Sequence, residues 1–174
     1  GSYIVTVTDN VTGCTNTATA TVTGNTTPPT ASATGATLTC AITSVQINAS
    51  SNIGNATYSW TGPGSFSSTL QNPTVTVNGT YTVVVTNPAN NCTNTATALV
   101  NLNNTPPVGA ATVSSPISCP TPVVTLGATP ASGATYLWSG PNSFTSNLQA
   151  PPANAAGTYT VTITSNANGC TGTA

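Results

Sequence analysis

The 174-residue sequence contains no lysine, arginine, histidine or methionine, and its one acidic residue is Asp9. Ordinary soluble domains are roughly one-quarter charged. Without basic side chains the chain cannot neutralise phosphates, so neither nucleic-acid binding nor attraction to acidic lipid is expected. A nucleophilic Ser, Thr or Cys would find no neighbouring base, and one carboxylate cannot form the pair a glycosidase needs; an enzyme is not expected. The same lone carboxylate cannot build a calcium site, so neither metal nor cofactor is expected, and Asp9 reads as a turn former. Lys–Asn isopeptide cross-links are excluded by composition. No apolar run approaches the roughly 18 residues of a membrane span, so membrane insertion is not expected. No basic-then-apolar start marks a signal peptide, and the first residues fall inside a recurring phrase, as expected of a window cut or processed from something longer.

Low charge does not make this chain disordered. Apolar residues account for 37% of it, and Val and Ile recur at regular spacing, whereas disordered chains are poor in apolar residues and rich in net charge. Thr, Ser and Asn supply the solubility. The phrase GSYIVTVTDNVTGCTNTA at 1 returns as GTYTVVVTNPANNCTNTA at 79 and GTYTVTITSNANGCTGTA at 157, a constant step of 78. Tyr3, Tyr81 and Tyr159 keep that step, as do Tyr58 and Tyr136, Trp60 and Trp138, and Phe66 and Phe144. Such a period is the signature of a tandem array.

Within the phrase, Tyr81, Val83 and Val85 fall on one face and Thr82 and Thr86 on the other, the alternation of a half-buried strand. A turn rich in Asn and Gly follows, then a second alternating run, Ala18, Ala20 and Val22 in the first copy; this is a hairpin. Val45, Ile47 and Ala49 form another strand, and Tyr58 and Trp60 share a face. No stretch sustains a helical period. The expected fold is all-β: tandem immunoglobulin-like β-sandwich domains on a 78-residue repeat.

Paired prolines at Thr27-Pro28-Pro29 and Thr105-Pro106-Pro107 set the boundaries, because they remove backbone donors and favour stiff, extended geometry. The expected domains are the C-terminal hairpin of a truncated repeat at 1–24, a complete repeat at 28–103, and a repeat at 106–174 that lacks the end of its last strand. Tyr3, Tyr58, Tyr81, Tyr136, Tyr159, Trp60 and Trp138 are the expected core markers. The tryptophans could alternatively stack on sugar, but their fixed place two residues after a Tyr favours packing. The Thr ladder from Thr15 to Thr23 reads as the solvent face of a twisted strand rather than a flat ice-binding lattice.

Five cysteines distribute as Cys40 and Cys92 in one unit, Cys119 and Cys170 in the next, and Cys14 in a unit whose second cysteine would precede the window, leaving it unpaired here. Even pairs without His or Cys-x-x-Cys favour disulfides in an oxidising compartment over a metal site. Domain autonomy makes Cys40–Cys92 and Cys119–Cys170 the leading connectivity. Strand order argues the other way. Cys40 precedes the second strand at one end and Cys92 opens the last strand at the other, about 20 Å away, whereas bridged Cα atoms lie about 4.4 to 6.8 Å apart. A bond between neighbours, Cys40 with Cys170, stays open.

At GTYTVVVTNPANNCTNTA, Cys40 and TYSWTGPGSFSSTLQNPTV the chain resembles the immunoglobulin-like repeats of large secreted bacterial surface adhesins, the SprB-type gliding-adhesin repeats with a GTYTVTVTDxxGCT signature. The resemblance covers nearly the whole chain and implies export and a cell-surface adhesin or filament. The departure is the near absence of acid: the Asp such hairpins often carry stands only at Asp9, with Asn87 and Ser165 in the later copies. The leading functional reading is a structural stalk or filament segment, extracellular at the cell surface, whose partners are neighbouring repeats of the same chain. Uncharged Thr-rich strands also allow self-association into filaments. The alternative is a glycan- or protein-binding module acting through exposed loops such as 51–56 or 62–69. Asn-x-Ser/Thr occurs at Asn10, Asn25, Asn48, Asn55, Asn78, Asn91 and Asn103, sites for glycosylation where a host provides it.

Overall fold

A computed structural model describes every residue except Ala131. The chain opens with a two-stranded hairpin, β1 (Ser2–Thr8) and β2 (Thr15–Thr21), paired antiparallel from Ser2 opposite Thr21 to Thr8 opposite Thr15. Its alternation is intact, but among the described residues no second sheet covers it. Tyr3, expected in a core, is 67% exposed; the face that is buried at Tyr81 has nothing to pack against here.

Next come β3 (Ser32–Thr34), β4 (Thr37–Thr39), β5 (Val45–Gln46), β6 (Asn48–Ser50), β7 (Thr57–Gly62), β8 (Phe66–Ser68), β9 (Thr74–Val75), β10 (Gly79–Thr86) and β11 (Thr93–Asn103). One sheet has the order β4-β11-β10-β7-β8. Opposite it, β3 pairs with β6 and β5 with β9, and the Ile47 N–H donating to the Pro73 carbonyl bridges the two short ladders. Between the sheets Trp60, Ile47, Tyr81, Val83, Val85 and Val100 are almost wholly buried. These are the inward positions of the alternating runs, which is how a period of two becomes a core.

A second sandwich follows: β12 (Ala111–Val113), β13 (Val124–Ala128), β14 (Ala134–Gly140), β15 (Phe144–Ser146), β16 (Pro152–Ala153), β17 (Thr160–Ser165) and β18 (Thr171–Thr173). Its sheets are β12-β13-β16 and β15-β14-β17-β18, around Trp138, Val161, Ile163 and Leu126. Tyr58 in the first core, and Tyr136 and Tyr159 in the second, are half-buried and pack at the core margins.

This is the immunoglobulin-like arrangement. A buried Trp sits on β7 and its counterpart on β14, a parallel edge pairing joins β4 to β11 through Leu38 and Leu102, and a tyrosine hydroxyl reaches back to the chain four residues upstream. Tyr81 Oη donates to the Val77 carbonyl at 2.8 Å, and Tyr159 Oη to that of Ala155 at 2.9 Å. The tryptophan indoles donate to the carbonyls of Gln71 and Leu148. Phe66 and Phe144 stand edge-on to those tyrosines, with ring centroids 5.2 and 5.1 Å apart.

The step is not constant. Thr39 N–H donates to the Ile42 carbonyl as Ser118 N–H does to that of Thr121, and Gln71 Nε2 reaches Ala49 O as Gln149 Nε2 reaches Ala128 O, so Cys40 corresponds to Cys119 and Ala49 to Ala128. That is a step of 79. One residue is gained between β12 and the Ser118 turn and lost again between β13 and β14, and the core positions keep their places.

Candidate functional site at the sandwich joint

The chemistry of this chain lies where the two sandwiches meet. Each recurring phrase closes the same hairpin turn: the Asp9, Asn87 and Ser165 N–H groups donate to the carbonyls of Cys14, Cys92 and Cys170, and Gly13, Asn91 and Gly169 donate back to residues 9, 87 and 165. Gly13, Asn91 and Gly169 all adopt positive φ (73°, 57° and 70°), the left-handed geometry that favours Gly and Asn. In the first copy Asp9 Oδ1 accepts from Val11 N at 2.8 Å and Thr12 N at 3.2 Å, and these bonds hold its carboxyl below the usual range.

In the third copy the turn is docked on the first sandwich. Asn168, only 6% exposed, uses its whole amide: Nδ2 donates to Asn103 Oδ1 at 3.0 Å and to the Thr105 carbonyl at 2.9 Å, while Oδ1 accepts from Cys170 N at 3.0 Å. Its carbonyl accepts from Ala41 N at 3.1 Å. A Cβ on Gly169 would lie 2.5 Å from Ala41 Cβ, so the contact requires glycine on space as well as on φ.

That approach brings Cys40 and Cys170 together. They form a disulfide with Cα atoms 5.0 Å apart, across a sequence separation of 130. The leading expectation, Cys40–Cys92 and Cys119–Cys170, is therefore overturned, and the bond between neighbours is the one that forms. The reason is strand geometry. Thr39 pairs with Asn103 at the far end of the 11-residue β11, which Cys92 precedes. Eleven extended residues span roughly 35 Å, far beyond any disulfide. Cys14, Cys92 and Cys119 are free, Cys92 half-buried and the others exposed.

A second Asn latch, on the linker ahead of the first sandwich, is visible only in three dimensions. Asn90 Nδ2 donates to the Thr27 carbonyl at 3.0 Å, and its Oδ1 accepts from Cys92 N at 2.9 Å. This is the Asn168 latch one copy earlier: an Asn two residues before Cys seals its turn onto the linker ahead of its own sandwich. The period hid it, because Asn is abundant and Thr12 stands at the corresponding place in the first copy.

Trp60 and Trp138, at 0% and 1% exposure, present no ring to a sugar. Segments 51–56 and 62–69 are part exposed and part half-buried, and the second, expected as a loop, is a 3-10 turn at Pro63–Ser65 followed by β8, whose pairing with β7 takes Phe66–Ser68 into the sheet. No described helix is long and apolar enough to cross a membrane.

No family model matches the chain, and no curated protein does. Solved structures do. Three N-terminal domains of the bacteriophage RB49 Highly Immunogenic Outer Capsid protein are similar at 16% identity and a TM-score of 0.46, over 84% of this chain and 56% of that one. Murine CEACAM1b is similar at 14% identity and a TM-score of 0.34, over 78% of this chain and 92% of that one. An I-band fragment of titin is similar at 13% identity and a TM-score of 0.36, over 84% and 64%. The chain spans little more than half the length of the phage fragment it matches.

Proposed function

We propose that this chain is a segment of an extracellular structural stalk or filament, and not an enzyme. Its domains are the hairpin 1–24 and the immunoglobulin-like units 28–103 and 106–174, carried in line by proline joints and by a disulfide across the joint. The observation that carries the reading is Cys40–Cys170, because a bond that leaves each core alone and ties one sandwich to the next contributes to continuity rather than to either fold. A disulfide of this kind supports an oxidising, exported location. The SprB-type phrase supports a surface adhesin as the parent. A nearly ionisation-free surface supports a rod that keeps its shape across pH and salt.

Small-angle scattering of the oxidised and reduced protein tests this. The oxidised form should give one fixed maximum dimension, and reduction should broaden the distance distribution while both cores stay folded. An oxidised protein as pliable as the reduced one would sink the stalk. Glycan-array binding that is lost on changing loops 51–56 or 62–69, with folding intact, would replace it with the binding-module reading.

A further inference from the structure

The residue that latches the joint stands before a glycine. In Asn-Gly the glycine nitrogen can close on the asparagine side chain with no Cβ in its way, which makes this pair the readiest of all to lose its amide. The chain has two, Asn78-Gly79 and Asn168-Gly169. Asn78 is exposed just before β10, whereas Asn168 is 6% exposed between the two sandwiches. Glycine is imposed at 169, where φ is 70° and a Cβ would lie 2.5 Å from Ala41 Cβ. The earlier latch, Asn90, is followed instead by Asn91, whose side chain crowds the same approach. Packing of the joint thus sets its most labile kind of amide at its centre.

While the joint is closed, every atom that this loss would use is occupied. Gly169 N, the nucleophile, donates to the Ser165 carbonyl at 2.8 Å. Asn168 Nδ2, the leaving group, donates to Asn103 Oδ1 and to the Thr105 carbonyl, and Oδ1 accepts from Cys170 N. Swinging the amide carbon onto Gly169 N breaks all three side-chain bonds in a place that water barely reaches. Asn103 lies in β11 and Thr105 in the linker, so the two Nδ2 bonds last only as long as the second sandwich stays docked. Reduction of Cys40–Cys170 removes the covalent tie that keeps it there.

We propose that Asn168 is a modification site, shielded while the joint is closed and converted to aspartate or isoaspartate once it opens, so that a joint left open cannot lock again. The product is an unpaired carboxylate. It has no donor for Asn103 Oδ1 or the Thr105 carbonyl and sets its own oxygens against theirs, and the chain has no Lys, Arg or His to neutralise it. Isoaspartate adds a second obstacle. Its extra backbone methylene lengthens the turn that Ser165 N closes on the Cys170 carbonyl, and so moves Cys170 itself.

The conversion consumes one water, releases one ammonia and needs no oxidant. Gly169 N bonds to Asn168 Cγ, the Cγ–Nδ2 bond breaks, and Nδ2 leaves as ammonia with the proton that Gly169 N gives up, closing a succinimide ring. Water then adds its hydroxyl at either ring carbonyl and returns a proton to Gly169 N. Cleavage of the bond from Gly169 N to Cγ leaves aspartate. Cleavage of the bond from Gly169 N to the main-chain carbonyl carbon of residue 168 leaves isoaspartate.

The test ages the 174-residue protein in mildly alkaline buffer in three states, oxidised, reduced, and reduced in urea, and reads conversion at each asparagine by mass spectrometry of peptic fragments. Asn168 should convert at least about tenfold faster reduced than oxidised, and faster still in urea, where the bond from Gly169 to Ser165 is also gone. Asn78 should keep one rate in the two folded states. When the aged, reduced protein is reoxidised in a glutathione buffer, fragments bridged Cys40–Cys170 should be depleted of converted chains. Asn168→Asp keeps an acceptor for Cys170 N, and with it the turn. Its equilibrium constant for forming the bridge should be at least about tenfold below that of the native chain. Equal rates at Asn168 in the oxidised and reduced protein, an acceleration that Asn78 shares, or an Asn168→Asp chain that bridges as completely as the native one would overturn the proposal. None of these outcomes alters the scattering of the oxidised protein, so the stalk reading is judged separately.

Discussion

Reduction of Cys40–Cys170 should change what the chain does under load far more than how either core melts. A force applied between Gly1 and Ala174 peels β3 and β4 from their partners, reaches Cys40 and crosses the sulfur bridge to Cys170, so the 129 residues between them are kept out of the extended path. Trp60 and Trp138 and most of both cores lie inside that bypass, Leu38 of the first core lying just before it. With roughly 3.3 to 3.6 Å per extended residue, the oxidised chain can lengthen by only about 150 Å, and reduction releases about 450 Å more. Single-molecule force extension with handles at the two termini, with and without reductant, reads both lengths. Pairing within sandwiches would instead hide two separate segments of roughly 50 residues, about 180 Å each. Releases of that size, or an oxidised chain that extends to its full contour, would refute the reasoning from the joint.

Asn168→Ala removes two donors and the acceptor that seals the Cys170 turn; it should cost about 1 to 3 kcal/mol, read as a lower urea midpoint for the second sandwich with the first unchanged. Gly35→Ala places a methyl against the Leu99 backbone, where β4 turns onto β11, and should destabilise the first sandwich by about 1 to 3 kcal/mol in the same assay. Burial raises the Tyr81 pKa above the ordinary value near 10, so its contribution is complete below pH 10 and is lost as pH rises through the folded value. Asp9 is shifted down, so its contribution is present above the ordinary carboxylate range and fades as acid passes through its folded pKa. Between these limits the melting temperature, followed by circular dichroism, should be flat from about pH 5 to 9, and movement by tens of degrees would contradict it.

The strands and most of the cores were legible in the residue pattern. Alternation at Tyr81, Val83 and Val85, and the recurrence of Trp60 as Trp138, are local facts, and a sheet with one buried face converts them directly into inside and outside. The same alternation at Tyr3, Val5 and Val7 led to an exposed hairpin, because burial needs a partner sheet that a pattern cannot supply. The disulfide was legible only as two alternatives. Cysteine spacing records how many thiols each unit holds, whereas bonding depends on two Cα atoms coming within a few ångströms. Here that distance is set by Asn168 on Asn103 and Thr105, and by a glycine thin enough to lie against Ala41. Those contacts join residues more than 60 positions apart, so it is the packing of one sandwich on the next that puts the sulfur bridge between them.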